Sequence, residues 1–397
     1  MAASARGVLA GATAVVVLGL LLWSPEPDYS AIEVASASDL ERELEALRER
    51  LNIPGMAAAI AEGDRIVWAR GFGYADIARQ VRVDPDTTSF HLASVTKPYS
   101  ATVVLELADE GRLDLDTPLS QLDPDTPAAP SVLVRHLLSH TSGATPGRVY
   151  RYDAQAFGAL TTVVERASGQ PFAAALTDRI VRKLGLTHTA PNPRDIDRTA
   201  CRALLAARVL GLCGTEDQAK RARQTFGTSG LDRESIEADL AVGYARRWGR
   251  QLWPAGLIGP MHPEQHLTDL FASAGLVASA GDVLRFSIAL DQGVLLSPSS
   301  LARMYTPALG RYAAEGPTFG MGWFLQQHQG LTLAWHFGQA FESSSLVIKI
   351  PDRRVAFVAL ANSDGLSRRG RLGDHGDVLK SPAAVLFLKW YLAGHRL

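Results

Sequence analysis

Phe90-His91-Leu92-Ala93-Ser94-Val95-Thr96-Lys97-Pro98 is the stretch from which the rest of this chain can be read. Ser94 and Lys97 stand three residues apart, a spacing that puts two side chains on one face of a helix. The Lys97 amine can then reach the Ser94 hydroxyl and accept its proton. The apolar run Val103-Val104-Leu105 predicts a buried helix over about 97–110, with Pro98 tolerated in its first turn. The positive end of that helix favours a neutral Lys97 and negative charge near the Ser94 backbone N–H. The same four residues also read as a serine near a helix start followed by a solvated lysine.

Composition shifts the balance between the two. The chain carries 34 Arg but only six Lys, so a merely solvated cation would usually be Arg. Arg does not lose its proton and cannot serve as a base. No other Ser in the sequence has a Lys three residues on.

With 397 residues, the chain has room for one large domain or two modest ones, and 47% apolar and 20% charged residues are those of a globular protein. A net charge of −1 leaves no basic excess to neutralise phosphates, which excludes nucleic acid as the expected partner. Residues 1–30 differ in kind. Arg6 precedes an uncharged run from Gly7 to Pro25, long enough as a helix to cross a hydrocarbon core of roughly 30 Å. A cleaved signal peptide is the rival reading. The nearest small-x-small site, Ala35-Ser36-Ala37, lies well downstream, which favours an uncleaved anchor. Arg6 before the run, with Glu26 and Asp28 after it, places the body at 31–397 outside the cytoplasmic membrane, in the periplasm or beyond. Cys201 and Cys213 fit that compartment as a disulfide, worth about 3 kcal/mol in the chain-entropy model, or they are two buried thiols.

The expected fold is α/β (α+β), with one antiparallel sheet built from both chain ends. A helix beginning at Ser38 carries Leu40, Leu44, Leu47 and Leu51 at helical spacing, and Met56–Ala61 with Arg65–Arg70 form a hairpin. Near the other end, Leu331–His336, Ser344–Ile350 and Val355–Ala361 read as strands with turns at Gly338 and Pro351-Asp352. A last helix covers Val378–Leu392. Between these halves the chain is mostly helical, at about 132–139, 155–168, 171–184, 281–291 and 298–305. Residues 191–240, richer in charge, read as a lid-like insertion.

Four further landmarks follow in order: Leu137-Leu138-Ser139-His140-Thr141-Ser142-Gly143, Tyr150-Arg151-Tyr152-Asp153, Phe319-Gly320-Met321-Gly322-Trp323 and His336-Phe337-Gly338. With Ser94-x-x-Lys97 they resemble the serine β-lactamase and penicillin-binding-protein superfamily, nearest its class C and esterase-like branch, over roughly residues 40–395. Gly71-Phe72-Gly73-Tyr74-Ala75-Asp76, Leu184-Gly185-Leu186-Thr187 and Ala274-Gly275-Leu276 add smaller echoes. The resemblance implies a β-lactamase/transpeptidase-like fold and a serine hydrolase, with no cofactor expected; other histidines, at 188, 262 and 266, are scattered without ligand spacing, so no metal is expected. It implies Ser94 as the nucleophile of an acyl-enzyme, Lys97 as its proton acceptor and Tyr152 as the phenol that relays the proton, with Tyr150 a weaker rival. Free tyrosine loses its proton near pH 10, so nearby cations would have to make it useful at neutral pH. His336 stands where Lys-Thr-Gly relatives carry lysine, Gly338 lets the strand approach the substrate, and the N–H of Gln339 with that of Ser94 forms the expected oxyanion hole. His140 is expected to fix the turn after its helix. The chain departs from the family pattern at Asp153-Ala154, where x-Asn is usual. Ala154 has no amide to donate, and Asp153 is the one neighbour that could compensate. The implied substrates are an ester or a peptidoglycan-like D-amino-acid peptide or amide, and less so a β-lactam. The alternative is a catalytically silent, penicillin-binding-like sensor or binding protein.

Overall fold

Ser36, not Ser38, starts the first helix, because its hydroxyl accepts the N–H of Asp39 at 3.1 Å and satisfies a donor the helix cannot. That helix, α1 (Ala37–Arg50), buries Leu40, Leu44 and Leu47 completely or nearly so. Each such side chain contributes about 1.5–3 kcal/mol when removed from water. The computed structural model describes residues 28–29, 31–193, 216–247, 251–254, 269–309, 318–368, 372 and 376–394. Residues Val34–Leu397 form one unit. The expected membrane segment within residues 1–27 and both cysteines lie outside the described residues. Among the described residues, no helix is long and apolar enough to cross a membrane.

The main sheet has eight antiparallel strands. They are β1 (Gly55–Glu62), β2 (Arg65–Asp76), β3 (Val81–Arg82), β4 (Thr318–Phe319), β5 (Phe324–His328), β6 (Leu331–Ala340), β7 (Ser343–Ile350) and β8 (Val355–Ala361), in the order β3-β2-β1-β8-β7-β6-β5-β4. The two chain ends meet where β1 pairs with β8, Met56 opposite Ala361 and Glu62 opposite Val355. Every residue of β7 and β8 is buried; β8 reads as an unbroken apolar run rather than an alternating one, whereas β7 also buries Ser343, Ser344, Ser345 and Lys349. The sheet is thus the one expected, assembled from both termini around a helical insert.

The inserted helices include α2 (Thr96–Asp109), α3 (Ala154–Gly158), α4 (Leu160–Ser168) and α5 (Ala280–Asp291), and the chain ends in α6 (Pro382–Leu392). Twelve of the fourteen residues of α2 are buried, which makes it the central helix of the core. The terminal helices α1 and α6 pack on each other, and α5 packs on β1 and β8. Three further expectations needed correction. The 155–168 helix is two helices, α3 stopping at Gly158, a poor helix former. The final helix restarts at Pro382, which cannot donate into a preceding turn, with the Ser381 hydroxyl capping it. The third concerns Gly338, which lies inside β6 opposite Ser345 rather than at a turn. In the 191–240 segment, residues 216–240 hold two helices, Glu216–Ser229 and Arg233–Asp239, whose Phe226 and Ile236 pack with Ala190, Leu240 and Val277 in a small core of their own.

Candidate active site

Ser94 sits in a short 3₁₀ turn, Ala93–Val95, that feeds directly into α2. Lys97 is therefore in the first turn of α2, and its Nζ lies 3.0 Å from the Ser94 Oγ. The turn is held at three points. Leu92 donates its N–H to Leu276 O at 2.9 Å, Thr96 Oγ1 accepts the N–H of Leu276 at 3.2 Å, and Ser345 Oγ donates to Leu92 O at 2.6 Å. Ala93, just before Ser94, has φ +48°, the left-handed region that costs a non-glycine residue about 1–3 kcal/mol. Surrounding structure imposes that conformation.

Two glycines bring the neighbouring backbone close. A Cβ on Gly338 would stand 2.1 Å from Leu92 O and 2.2 Å from Ser345 Oγ, so β6 can lie against the Ser94 turn only with glycine there. That close approach is why the strand runs on through Gly338. A Cβ on Gly322, at φ +81°, would stand 2.6 Å from the Ala101 Cβ on α2, and the Gly322 N–H donates to Leu138 O at 3.0 Å. The Phe319–Trp323 landmark thus ties α2 to the helix that precedes His140.

Lys97 is completely buried, and among the described residues its amine has two neutral partners, the Ser94 hydroxyl and Ser273 O at 2.9 Å. Burial alone lowers its pKa from 10.5 to about 7. A large fraction of Lys97 is then neutral near neutral pH and able to take a proton. Ser94 itself keeps partial exposure, so a substrate can reach it. Ser273 was not among the expected site residues; the signal was its place beside Ala274-Gly275-Leu276. Thr161 Oγ1 accepts the N–H of Ala272 at 2.9 Å and fixes that segment.

Tyr152 joins this pair. The Lys97 Nζ lies 5.0 Å from its ring centroid, and its buried hydroxyl lacks a hydrogen bond of ordinary geometry but is close enough to Ser94 for that contact to oppose part of the effect of burial. Burial dominates, and the phenol's pKa rises above its usual 10. Tyr152 is therefore a protonated phenol that can donate, not a phenolate prepared by neighbouring cations. Tyr150 packs instead on Phe319, with ring centroids 5.7 Å apart.

His336 is fully buried on β6, and desolvation first, then the charge of Lys97, lowers its pKa to about 3. Its Nδ1 lies 2.8 Å from Phe337 O and so carries the proton of the neutral ring, leaving Nε2 as a buried lone pair with no partner among the described residues. It brings no positive charge to the site at pH 7. Gln339 lies next along β6, opposite Ser344, and is exposed. The expectation that Asp153 replaces the missing asparagine fails. Its carboxylate caps α3 by accepting the N–H of Ala156 at 2.9 Å, and Ala154 is exposed. A cavity of about 690 Å³ is lined in part by Leu270 and Phe271 but by neither Ser94 nor Tyr152. Among the described residues, no cluster of three His, Cys, Asp or Glu is placed to hold a metal.

Comparison with known proteins agrees with this architecture. The family model described as Beta-lactamase matches residues 40–379. The chain belongs to the beta-lactamase family of serine hydrolases. It is 28% identical over 378 residues to the esterase EstB of Burkholderia gladioli, covering 79% of this chain and 88% of that protein. It is 23% identical over 342 residues to the putative penicillin-binding protein PbpX of Bacillus subtilis (strain 168), covering 79% of this chain and 73% of that one. Among solved structures, the octameric penicillin-binding protein homologue from Pyrococcus abyssi superposes with a TM-score of 0.68 at 18% identity, covering 90% of this chain and 78% of that chain. The D-amino acid amidase from Ochrobactrum anthropi SV3 superposes with a TM-score of 0.64 at 18% identity, covering 90% and 100%. At such identities the structural likeness establishes the fold alone.

Proposed function

We propose that this chain hydrolyses an ester or a D-amino-acid amide or peptide through an acyl-enzyme on Ser94. The observation that carries the reading is the 3.0 Å contact between Ser94 Oγ and a fully buried Lys97 amine whose pKa is lowered to about 7. Lys97 takes the Ser94 proton as Oγ attacks the carbonyl carbon, and the N–H groups of Ser94 and Gln339 receive the developing oxyanion. Tyr152 gives its proton to the departing oxygen or nitrogen and regains one from protonated Lys97. A water then attacks the acyl group, and the same groups return the proton to Ser94 as it leaves.

The esterase and amidase among the relatives support this substrate class. So does the neutral His336, which offers no cation to a substrate carboxylate. That, with Ala154 in place of an amide, argues against β-lactam turnover. The same Ala154 is the observation favouring a second reading, a silent ligand-sensing protein. Arg6 and the apolar run after it support an anchored protein whose body lies outside the cytoplasmic membrane. A C-terminal reporter active only in the cytoplasm should stay dark; a bright one contradicts export.

The test is labelling of the purified protein with a fluorophosphonate and with a penicillin, followed by mass spectrometry of the peptides. A fluorophosphonate adduct on Ser94, absent in Ser94→Ala, with turnover of simple esters, is expected. No adduct and no turnover would establish the silent reading instead.

A further inference from the structure

His140 is held in the left-handed region, at φ +54°, where the helix Val134–Leu138 ends. Its backbone and side chain face the same short segment. His140 O accepts the N–H of Arg151 at 2.8 Å, and His140 Nδ1 accepts the N–H of Asp153 at 3.1 Å. The two neighbours of Tyr152 are thus both tied to one residue. The imidazole also lies over the Tyr152 ring, with centroids 4.4 Å apart and planes inclined by 32°. On another side the edge of Phe319 meets it at 4.9 Å, so the ring is wedged between tyrosine and phenylalanine. Fixing a turn after a helix would need only the backbone of His140. The bond to the Asp153 N–H needs a side-chain acceptor, which Nδ1 supplies.

We propose that His140 is a positioning residue for Tyr152, gripping that residue from before, from after and across its ring face so that the phenol stays aimed at Ser94. The inference rests on the reading of Tyr152 as the proton donor. It assigns His140 no contact with substrate. Neutral His140 uses Nδ1 as the acceptor and so carries its proton on Nε2, and burial keeps its pKa well below 6.5, so the grip on Asp153 persists across the neutral range. Asn is the conservative replacement, because it tolerates positive φ and its side-chain oxygen can stand in for Nδ1. Phe keeps a ring and loses the acceptor.

The experiment is a double-mutant cycle between position 140 and Tyr152→Phe in the full chain, read as kcat/KM on two esters. A p-nitrophenyl ester expels a leaving group that needs no proton, whereas an ethyl ester expels one that does. Tyr152→Phe should lose about 100-fold on the ethyl ester and far less on the p-nitrophenyl ester. His140→Phe should show the same leaving-group pattern, at about tenfold or more on the ethyl ester, and add almost nothing in the Tyr152→Phe background. His140→Asn should recover most of the loss. Losses that multiply in the double variant, or that are equal on the two esters, would overturn the positioning role. If His140→Phe does not fold, His140→Gly, which suits the positive φ and removes both ring and acceptor, takes its place in the cycle under the same criteria. A Ser94→Ala control with undiminished turnover would instead sink the hydrolase reading itself.

Discussion

Two of the six lysines are completely buried, and they have opposite fates. Lys349, on β7, donates to Ser287 O at 2.7 Å and Ser287 Oγ at 2.8 Å, and its Nζ lies 2.9 Å from the carboxylate of Asp291. Lys97 likewise has a hydroxyl and a carbonyl as partners, at 3.0 and 2.9 Å, but no carboxylate among the described residues. Burial lowers both pKa values. At Lys349 the charge of Asp291 pushes back; at Lys97 nothing does, and the pKa falls to about 7. Among the described residues, one carboxylate separates the two settings.

The largest expected effect breaks the comparison at the site. Lys97→Met should lower kcat/KM for esters by up to about 10,000-fold, the upper range for loss of a general base. Lys349→Met, assayed per folded molecule, should retain most activity. In the wild type, kcat/KM should rise with pH through about 7, as Lys97 loses its proton.

Linkage makes the same contrast visible in stability. The folded-state pKa of Lys97 is depressed from 10.5 to about 7, so between those values the unfolded chain binds the extra proton. Stability therefore rises with pH across that window, by up to about 5 kcal/mol, and falls as pH drops back toward 7. Denaturant unfolding at pH 7 and pH 10 should show this rise in the wild type and a smaller one in Lys97→Met. Next in size is Lys349→Met, which leaves Asp291 buried and unpaired and should cost about 3–5 kcal/mol in the same assay.

Smaller effects sharpen the picture around Ser94. Gly338→Ala forces a Cβ onto Leu92 O and Ser345 Oγ and should cost about 1–3 kcal/mol together with most of the esterase activity. Ala93→Gly relieves the φ of +48° and should raise stability by about 1 kcal/mol, with activity falling if that strain aims Ser94. Thermal melts and ester assays on the same samples check both.

The sheet was legible because both ends of the chain carry strand patterns strong enough to read locally, and the Ser94–Lys97 pair because its spacing is helical. What escaped the sequence was long-range. Nothing near Lys97 announces that Ser273, 176 residues away, supplies its second partner. Gly338 looked like a turn because glycine usually punctuates strands, and only the approach of Leu92 O explains it inside one. Asp153 looked free to replace an asparagine until the start of α3 claimed its carboxylate. His140 could be placed at a turn, but its hold on both neighbours of Tyr152 needed coordinates.

Only six lysines make one measurement decisive. With lysine labelled by ¹³C at Cε, each resonance can be followed by NMR from pH 5 to 11 and the Lys97 signal assigned by its absence in Lys97→Met. This signal should titrate near pH 7. A Lys97 signal that titrates near the ordinary lysine value of 10.5 would contradict it.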